Sequence, residues 1–220
     1  MLCEYVYADH MMHSLLSFGS GFVLSASLIV AIGAQNLFVL RQGVKQEHVG
    51  AIVLFCGFSD AVLIIAGVSG MGGLVSTFPT LSVGVTLLGA IFLAWYGAKS
   101  LRRAAQHDSM SVEMGQSVPL RKVLASVAAF TWLNPHVYLD TVLLMGAAAT
   151  AQPMSARPFF AVGAASASFL WFAVLGYGAR LLQPVFARPR AWQVLDCIIG
   201  GVMFALAGSL LWHSGFYQFL

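Results

Sequence analysis

Asp60 and Asp140 are the two carboxylates that the sequence places well inside long apolar stretches. A carboxylate in hydrocarbon costs several kcal/mol unless it meets a partner or water, so its default role is to hold a cation or a proton. Asp60 lies near the middle of GFSDAVLIIAG at 57–67, and Asp140 follows Pro135 by about a turn and a half. Each could instead fix packing by bonding a neighbouring hydroxyl or amide.

Two polar interruptions stand near these carboxylates in the chain: Gly33-Ala34-Gln35-Asn36 and Trp132-Leu133-Asn134-Pro135-His136. Lipid cannot hydrogen-bond an opened backbone, so a broken helix survives only where it faces protein or a water-filled cavity. Paired breaks in the two halves of a chain point to a transporter's binding site. Pro135 removes an N–H and drives Asn134 away from helical geometry, so Asn134 can cap a half-helix with Pro135 at its first position. The exposed N–H groups of such an end suit an anion such as a substrate carboxylate. Gly33 can end the first half of its helix, and Gln35 and Asn36 supply side-chain donors and acceptors. The plainer readings are a proline kink and interhelical hydrogen bonds. His136, Tyr138 and Trp132 beside the second break, and Arg41 beyond the first, are candidates for a relay, a gate or a stacking contact. For Arg41 the plain alternative is an interface anchor, and for Trp132 it is packing.

The elements that must position these residues follow from composition. Of 220 residues, 59% are hydrophobic and 9% are charged, too few charges to cover a soluble surface. The expected class is an all-α integral membrane protein. Six apolar stretches, at roughly 14–40, 49–71, 80–101, 122–149, 157–183 and 193–213, each approach or exceed the ~20 residues a spanning helix needs. Spans one and four carry the breaks. The connections after spans one, three and five hold ten of the eleven Lys and Arg residues, and only Arg157 lies on the other side. The positive-inside rule then predicts those connections in the cytoplasm and both termini on the periplasmic side.

The halves repeat. A shift of 111 sets Phe58 on Phe169, Gly67 on Gly178, Gly89 on Gly200, Ala94 on Ala205 and Gly97 on Gly208, and a shift of 98 sets Asn36 on Asn134 and Val39 on Val137. A unit of three helices is odd, so its second copy must be inverted. The expectation is six transmembrane helices as two inverted three-helix repeats. Repeat one is 14–101, the cytoplasmic loop 102–121 and repeat two 122–213. A polar leader at 1–13 and a tail at 214–220 complete the chain. Residues 1–13 carry no Lys or Arg and so lack the basic region of a signal peptide.

Other chemistries find little support. Cys3, Cys56 and Cys197 form neither a CxxC pair nor a disulfide framework, and no basic stripe with interleaved aromatics suits nucleic acid. No cofactor and no metal is expected.

Five segments resemble a known family. GAQNLFVLRQG at 33–43 and TWLNPHVYLD at 131–140 are similar to the first-span and fourth-span signatures of the LysE-type lysine/arginine exporters, and within them to the ArgO-like arginine exporters. GFSDAVLIIAG at 57–67 and FLAWYGA at 92–98 also fit, as does SASFLWF at 166–172. The resemblance covers about Ser14 to Trp212, with Ala34 where the family usually has proline. It implies an exporter of basic amino acids in a bacterial inner membrane, driven by the membrane potential or the proton gradient. On that reading Asp60 and Asp140 take the substrate's cationic group or a coupling proton. Gln35, Asn36 and Asn134 hold the opened backbone and the amino-acid head group, with Gly33 and Pro135 as the helix breaks. L-arginine, and L-lysine or canavanine beside it, are the expected substrates, with the bilayer and protons as partners; a homodimer is compatible with the sequence. The rivals are an exporter of neutral amino acids or another small metabolite, a channel, and an intramembrane aspartyl enzyme, for which the GxGD motif is missing.

Overall fold

The computed structural model describes residues 2–30, 33–71, 79–105 and 118–213. Among them there are helices and turns but no strand. Helix α1 spans Leu2–Ile29, starting within the stretch read as a leader, and α2 spans Ala34–Lys45. Helix α3 spans Val49–Ala66 and continues as a π-helical turn, Gly67–Met71; α4 spans Pro79–Ala105 and α5 Leu120–Trp132. A short turn α6, Pro135–Val137, leads through the π-helix Tyr138–Leu144 into α7, Met145–Thr150. Helix α8, Arg157–Gly178, passes through the 3₁₀ turn Ala179–Leu182 into α9, Gln183–Phe186, and α10 is Pro189–His213. His107, Asp108 and Glu113 of the polar loop, Gly72-Gly73 and the tail at 214–220 lie outside the described residues.

Among the described residues five helices are long and apolar enough to cross a membrane: Met11–Ile29, Val49–Gly70, Gly84–Ala105, Arg157–Phe186 and Pro189–Trp212. The fourth expected span is not among them because Leu133-Asn134 divides it, and neither piece alone reaches membrane length. Many exposed side chains on the long helices are large and apolar, including Leu15, Leu54, Ile91, Val162 and Ile198. Lipid is the solvent that such a surface fits.

The chain forms two compact units. The first contains Met1–Ala31, Cys56–Phe78 and His136–Trp171; the second contains Ile32–Phe55, Pro79–Pro135 and Phe172–Leu220. In lipid, apolar area gives helices little reason to associate, so close backbone packing at small residues takes over. In the first unit a Cβ on Gly21 would stand 2.1 Å from the Phe160 carbonyl oxygen, and one on Gly163 would stand 2.1 Å from that of Phe18. Helices α1 and α8 therefore cross at two glycines. Gly67 and Gly146 lock the π-helical segments in the same way, facing the Val142 and Gly67 carbonyls. Ile64, Met145, Ala149, Phe160 and Ala164 form a buried core beside them.

In the second unit α4 and α10 pack along their length. Gly97 lies against Met203 and Phe204, and Gly200 against Leu101, so numbers rise on one helix as they fall on the other and the pair is antiparallel. Trp192, Asp196, Ile199, Met203, Ala207 and Leu210 are buried at three- and four-residue spacing, the stripe of a helical seam. Ala90, Leu93, Tyr96, Ser100, Arg103 and Ala104 make the facing stripe.

Helix α2 ends in a Schellman turn. Gln46 takes φ 55°, its N–H donates to the Gly43 carbonyl at 3.2 Å, and the Glu47 N–H donates to the Gln42 carbonyl at 3.2 Å. His48 is also left-handed, at φ 54°, and its Nε2 lies 2.9 Å from the Val118 carbonyl. The chain thus reverses in three residues between α2 and α3.

Gly43 faces Gly176 across this unit, where a Cβ would meet the Gly176 carbonyl oxygen at 2.4 Å and Ala179 Cβ at 2.7 Å, whereas Gly178 has nothing within 4 Å. Gly43→Val should destabilise the protein by about 1–3 kcal/mol through overpacking. Gly178→Ala should change stability by less than about 0.5 kcal/mol. Thermal unfolding of both variants in detergent checks the contrast, and equal losses would contradict it.

Candidate functional site

The first unit buries Asp60 on α3, where the Ser168 hydroxyl of α8 hydrogen-bonds its carboxyl. Ser25 of α1 lies 3.5 Å from Ser168 Oγ, a weak contact that extends the polar string to a third helix. All three side chains are buried. Gly57 lets the Phe169 ring approach α3, and Phe169 meets Phe58 edge to face at 5.4 Å. Asp60 is therefore an enclosed carboxylate with a hydroxyl beside it, as a site for a cation or proton requires.

Asp140 is different. Its side chain is exposed, which corrects the expectation of a second buried carboxylate. The physical reason is local: Tyr138–Leu144 is π-helical, and its wider turn re-aims side chains relative to the 3.6-residue period that the sequence was read with. His136 and Trp132 are exposed and Tyr138 is half-buried. Asp60, Asp140, His136 and Tyr138 belong to the first unit, and Gly33, Gln35, Asn36, Arg41, Trp132, Asn134 and Pro135 to the second.

The second break falls at Asn134-Pro135, while at the first α1 already ends at Ile29, so Gly33 begins the second half-helix and does not end the first. Gly33, extended at φ −111° and ψ 174°, caps the N-terminus of α2. Gln35 and Asn36 follow in its first turn, and Gln35 Nε2 is buried without a hydrogen-bond partner. Helix α5 ends as the Leu133 N–H donates to the Ala129 carbonyl at 3.0 Å, and Pro135 opens the next turn. A Cβ on Gly89 of α4 would stand 2.1 Å from the Leu133 carbonyl oxygen, so glycine there lets α4 cover the broken turn. Aromatic rings bind the two half-helices α2 and α5 to α4: Phe130 lies 5.2 Å from Phe38, 4.9 Å from Phe92 and 5.0 Å from Tyr96.

Tyr96 leads to a cluster that the sequence reading missed. Asp196 on α10 is fully buried, so the interior carboxylates are not confined to the two expected. Arg103 Nη2 donates to Asp196 Oδ1 at 2.9 Å and to Ser100 Oγ at 2.6 Å, and Arg103 Nε stands 3.3 and 3.4 Å from the two carboxylate oxygens. The guanidinium also lies over the Tyr96 ring at 5.7 Å. Arg41 of α2 brings its Nε within 3.3 Å of the same Oδ1, but the N–H is not directed along a hydrogen bond. The contact is charge against charge only. Arg103 also lies in the last turn of α4, where a cation suits the helix dipole. Arg41 is thus a buried ion-pair partner and not an interface anchor. The missed signal was periodic: Asp196 falls in step with Trp192, Ile199 and Met203, as Arg103 does with Tyr96 and Ser100.

Asp196→Leu leaves guanidinium groups buried without their counter-charge and should cost roughly 3–5 kcal/mol. The double variant Asp196→Leu with Arg103→Met should regain part of that loss. Detergent melting curves of the single and double variants measure both, and a harmless Asp196→Leu would refute the assignment.

Comparison with known proteins adds to this geometry. Residues 26–214 match the family described as LysE type translocator. A candidate amino-acid transporter of Mycobacterium tuberculosis, Rv0488, is 43% identical over 185 residues, covering 84% of this chain and 92% of that relative. The arginine exporter protein ArgO of Yersinia enterocolitica is 40% identical over 194 residues, covering 88% of this chain and 95% of the exporter. No solved structure matches the chain.

Proposed function

The chain belongs to the LysE type translocator family and is a membrane amino-acid transporter, not an enzyme, and from that premise we propose that it exports basic L-amino acids, L-arginine first, across the bacterial inner membrane. The observation that carries the substrate is the similarity to an arginine exporter along 95% of that protein's length. Asp60 supplies the chemistry: an enclosed carboxylate that accepts the substrate's cationic group or a coupling proton. Asp140, on an exposed face of its unit, takes the other of these two roles. Gln35, Asn36 and Asn134 hold the head group at the two half-helix ends, where N–H groups suit a carboxylate.

In this reading six spans form two inverted repeats, with α5 and the segment from Pro135 to Thr150 together making the fourth. Chain order supports it. The first half passes from the first compact unit to the second at its broken helix and back within its next helix, and the second half makes these two passages in the opposite sense, although the first half crosses once more, between 78 and 79, and the second does not. The repeat-related Phe58 and Phe169 also touch, as residues beside an axis relating two repeats would. Lys and Arg placement supports termini on the periplasmic side. Transport proceeds by alternating access, coupled to protons or to voltage.

A neutral substrate is the second reading, favoured by the 43% identity to a relative named only as an amino-acid transporter. Labelled-arginine efflux from proteoliposomes under imposed pH and voltage gradients decides between them. Arginine should leave in a saturable, gradient-dependent manner and neutral amino acids should not. Asp60→Asn and Asp140→Asn should each lower the efflux rate at least about 100-fold, the loss of a specific charge-assisted contact of roughly 3 kcal/mol. Normal arginine efflux by both variants would refute the carboxylate assignment.

A further inference from the structure

The two guanidinium groups that share Asp196 are held very unequally. Arg103 has two nitrogens on the carboxylate, a bond to Ser100 and a ring beneath it, all on α4 and α10, which already pack along their length. Among the described residues Arg41 meets the carboxylate through one 3.3 Å charge contact, in which its Nε makes no aligned hydrogen bond, and it comes from α2, a helix that starts at the first break and packs on α10 over a smaller area. One cation is a fixture and the other is loosely docked on the same oxygen. The space that Arg41 fills beside Asp196 Oδ1 therefore already accommodates a planar guanidinium, the group that ends the side chain of arginine.

We propose that Asp196 is an exchange site, where the guanidinium of the exported amino acid displaces Arg41 from Asp196 Oδ1 and so frees α2 from α10. The inference rests on the reading of the protein as an exporter of basic amino acids. It adds a third carboxylate, a reason for guanidinium over other cations, and a way for binding to be felt by α2. Arg103 keeps the carboxylate fixed throughout. While Arg41 is docked, Asp196 is sealed from solvent, so the internal guanidinium competes with the substrate's. Because Gln35 and Asn36 lie on α2, release of its far end by the substrate's cation reaches the half-helix end proposed to hold the substrate's carboxylate.

The test uses the full-length protein, with arginine binding followed by thermal shift in detergent and efflux followed in proteoliposomes. Removing an internal competitor unmasks affinity in proportion to the fraction of molecules it occupied, so Arg41→Gln should bind arginine roughly tenfold more tightly while its maximal efflux falls. Arg41→Lys, a milder change that keeps the charge, should lie between it and wild type. Citrulline, a neutral isostere of arginine, should bind neither variant. Unchanged or weaker arginine affinity in folded Arg41→Gln overturns the exchange; should that variant not fold, wild-type affinity in Arg41→Lys does so. Wild-type protein that neither binds nor exports arginine overturns the basic-substrate reading and the exchange together. Normal wild-type efflux with unaltered variant affinity overturns the exchange alone.

Discussion

Lipid offers no hydrogen bonds, and this protein's architecture is organised around that constraint. A helix satisfies its own backbone, so regular helices need only to be apolar outside. Each interruption frees carbonyls and amides that some other part of the chain must cover. The Leu133 carbonyl at the second break is met by α4 at Gly89, where any side chain would collide with it. The reversal after α2 answers its last carbonyls with the N–H groups of Gln46 and Glu47, accepting two non-glycine residues in the left-handed region. Each such residue costs about 1–2 kcal/mol, which the intervening hydrogen bonds and packing must offset.

The same solvent sorts the charges. Arg102, Arg121, Arg180, Arg188 and Arg190 are exposed, where a basic side chain reaches a membrane–water interface, while Arg41 and Arg103 are buried on a single carboxylate. A buried charge survives only with a partner of good geometry. Arg103 has that geometry and Arg41 has only proximity. The asymmetry sets one arginine firmly in the scaffold and leaves the other, on the half-helix that begins at a break, held through a less directed contact.

Much of this was legible in the residues. Helix class follows from charge scarcity, and the start of α2 and the second break follow from Gly33 and Asn134-Pro135, because glycine and proline act within one turn. Asp60 was legible as well: an aspartate amid eleven mostly apolar residues has no surface to reach. Asp196 was not recognised, since it stands only a few residues into its apolar run and reads as a span-end charge. Only its step with Trp192 and Ile199 betrays the face it occupies. The exposure of Asp140 was not legible, because it sits in a π-helical turn that the surrounding apolar stretch does not announce. The small-residue matches between halves do not share one packing role either. Gly67 and Gly97 are in tight contact, while their counterparts Gly178 and Gly208 face open space.

Composition and local residue chemistry were enough to establish an apolar helical chain, where its helices stop, and which segments carry polar groups into the membrane. These are matters of solvent transfer and of backbone geometry over a few residues, and they need no distant partner. Which carboxylate is enclosed, which is exposed and which arginines it holds were decided by tertiary structure. Burial depends on the rotation of one helix against another, and Arg41, Arg103 and Asp196 stand 93 residues or more from carboxylate to guanidinium along the chain. Their meeting is set by the antiparallel register of α4 and α10 and the docking of α2 on them, which no local pattern encodes.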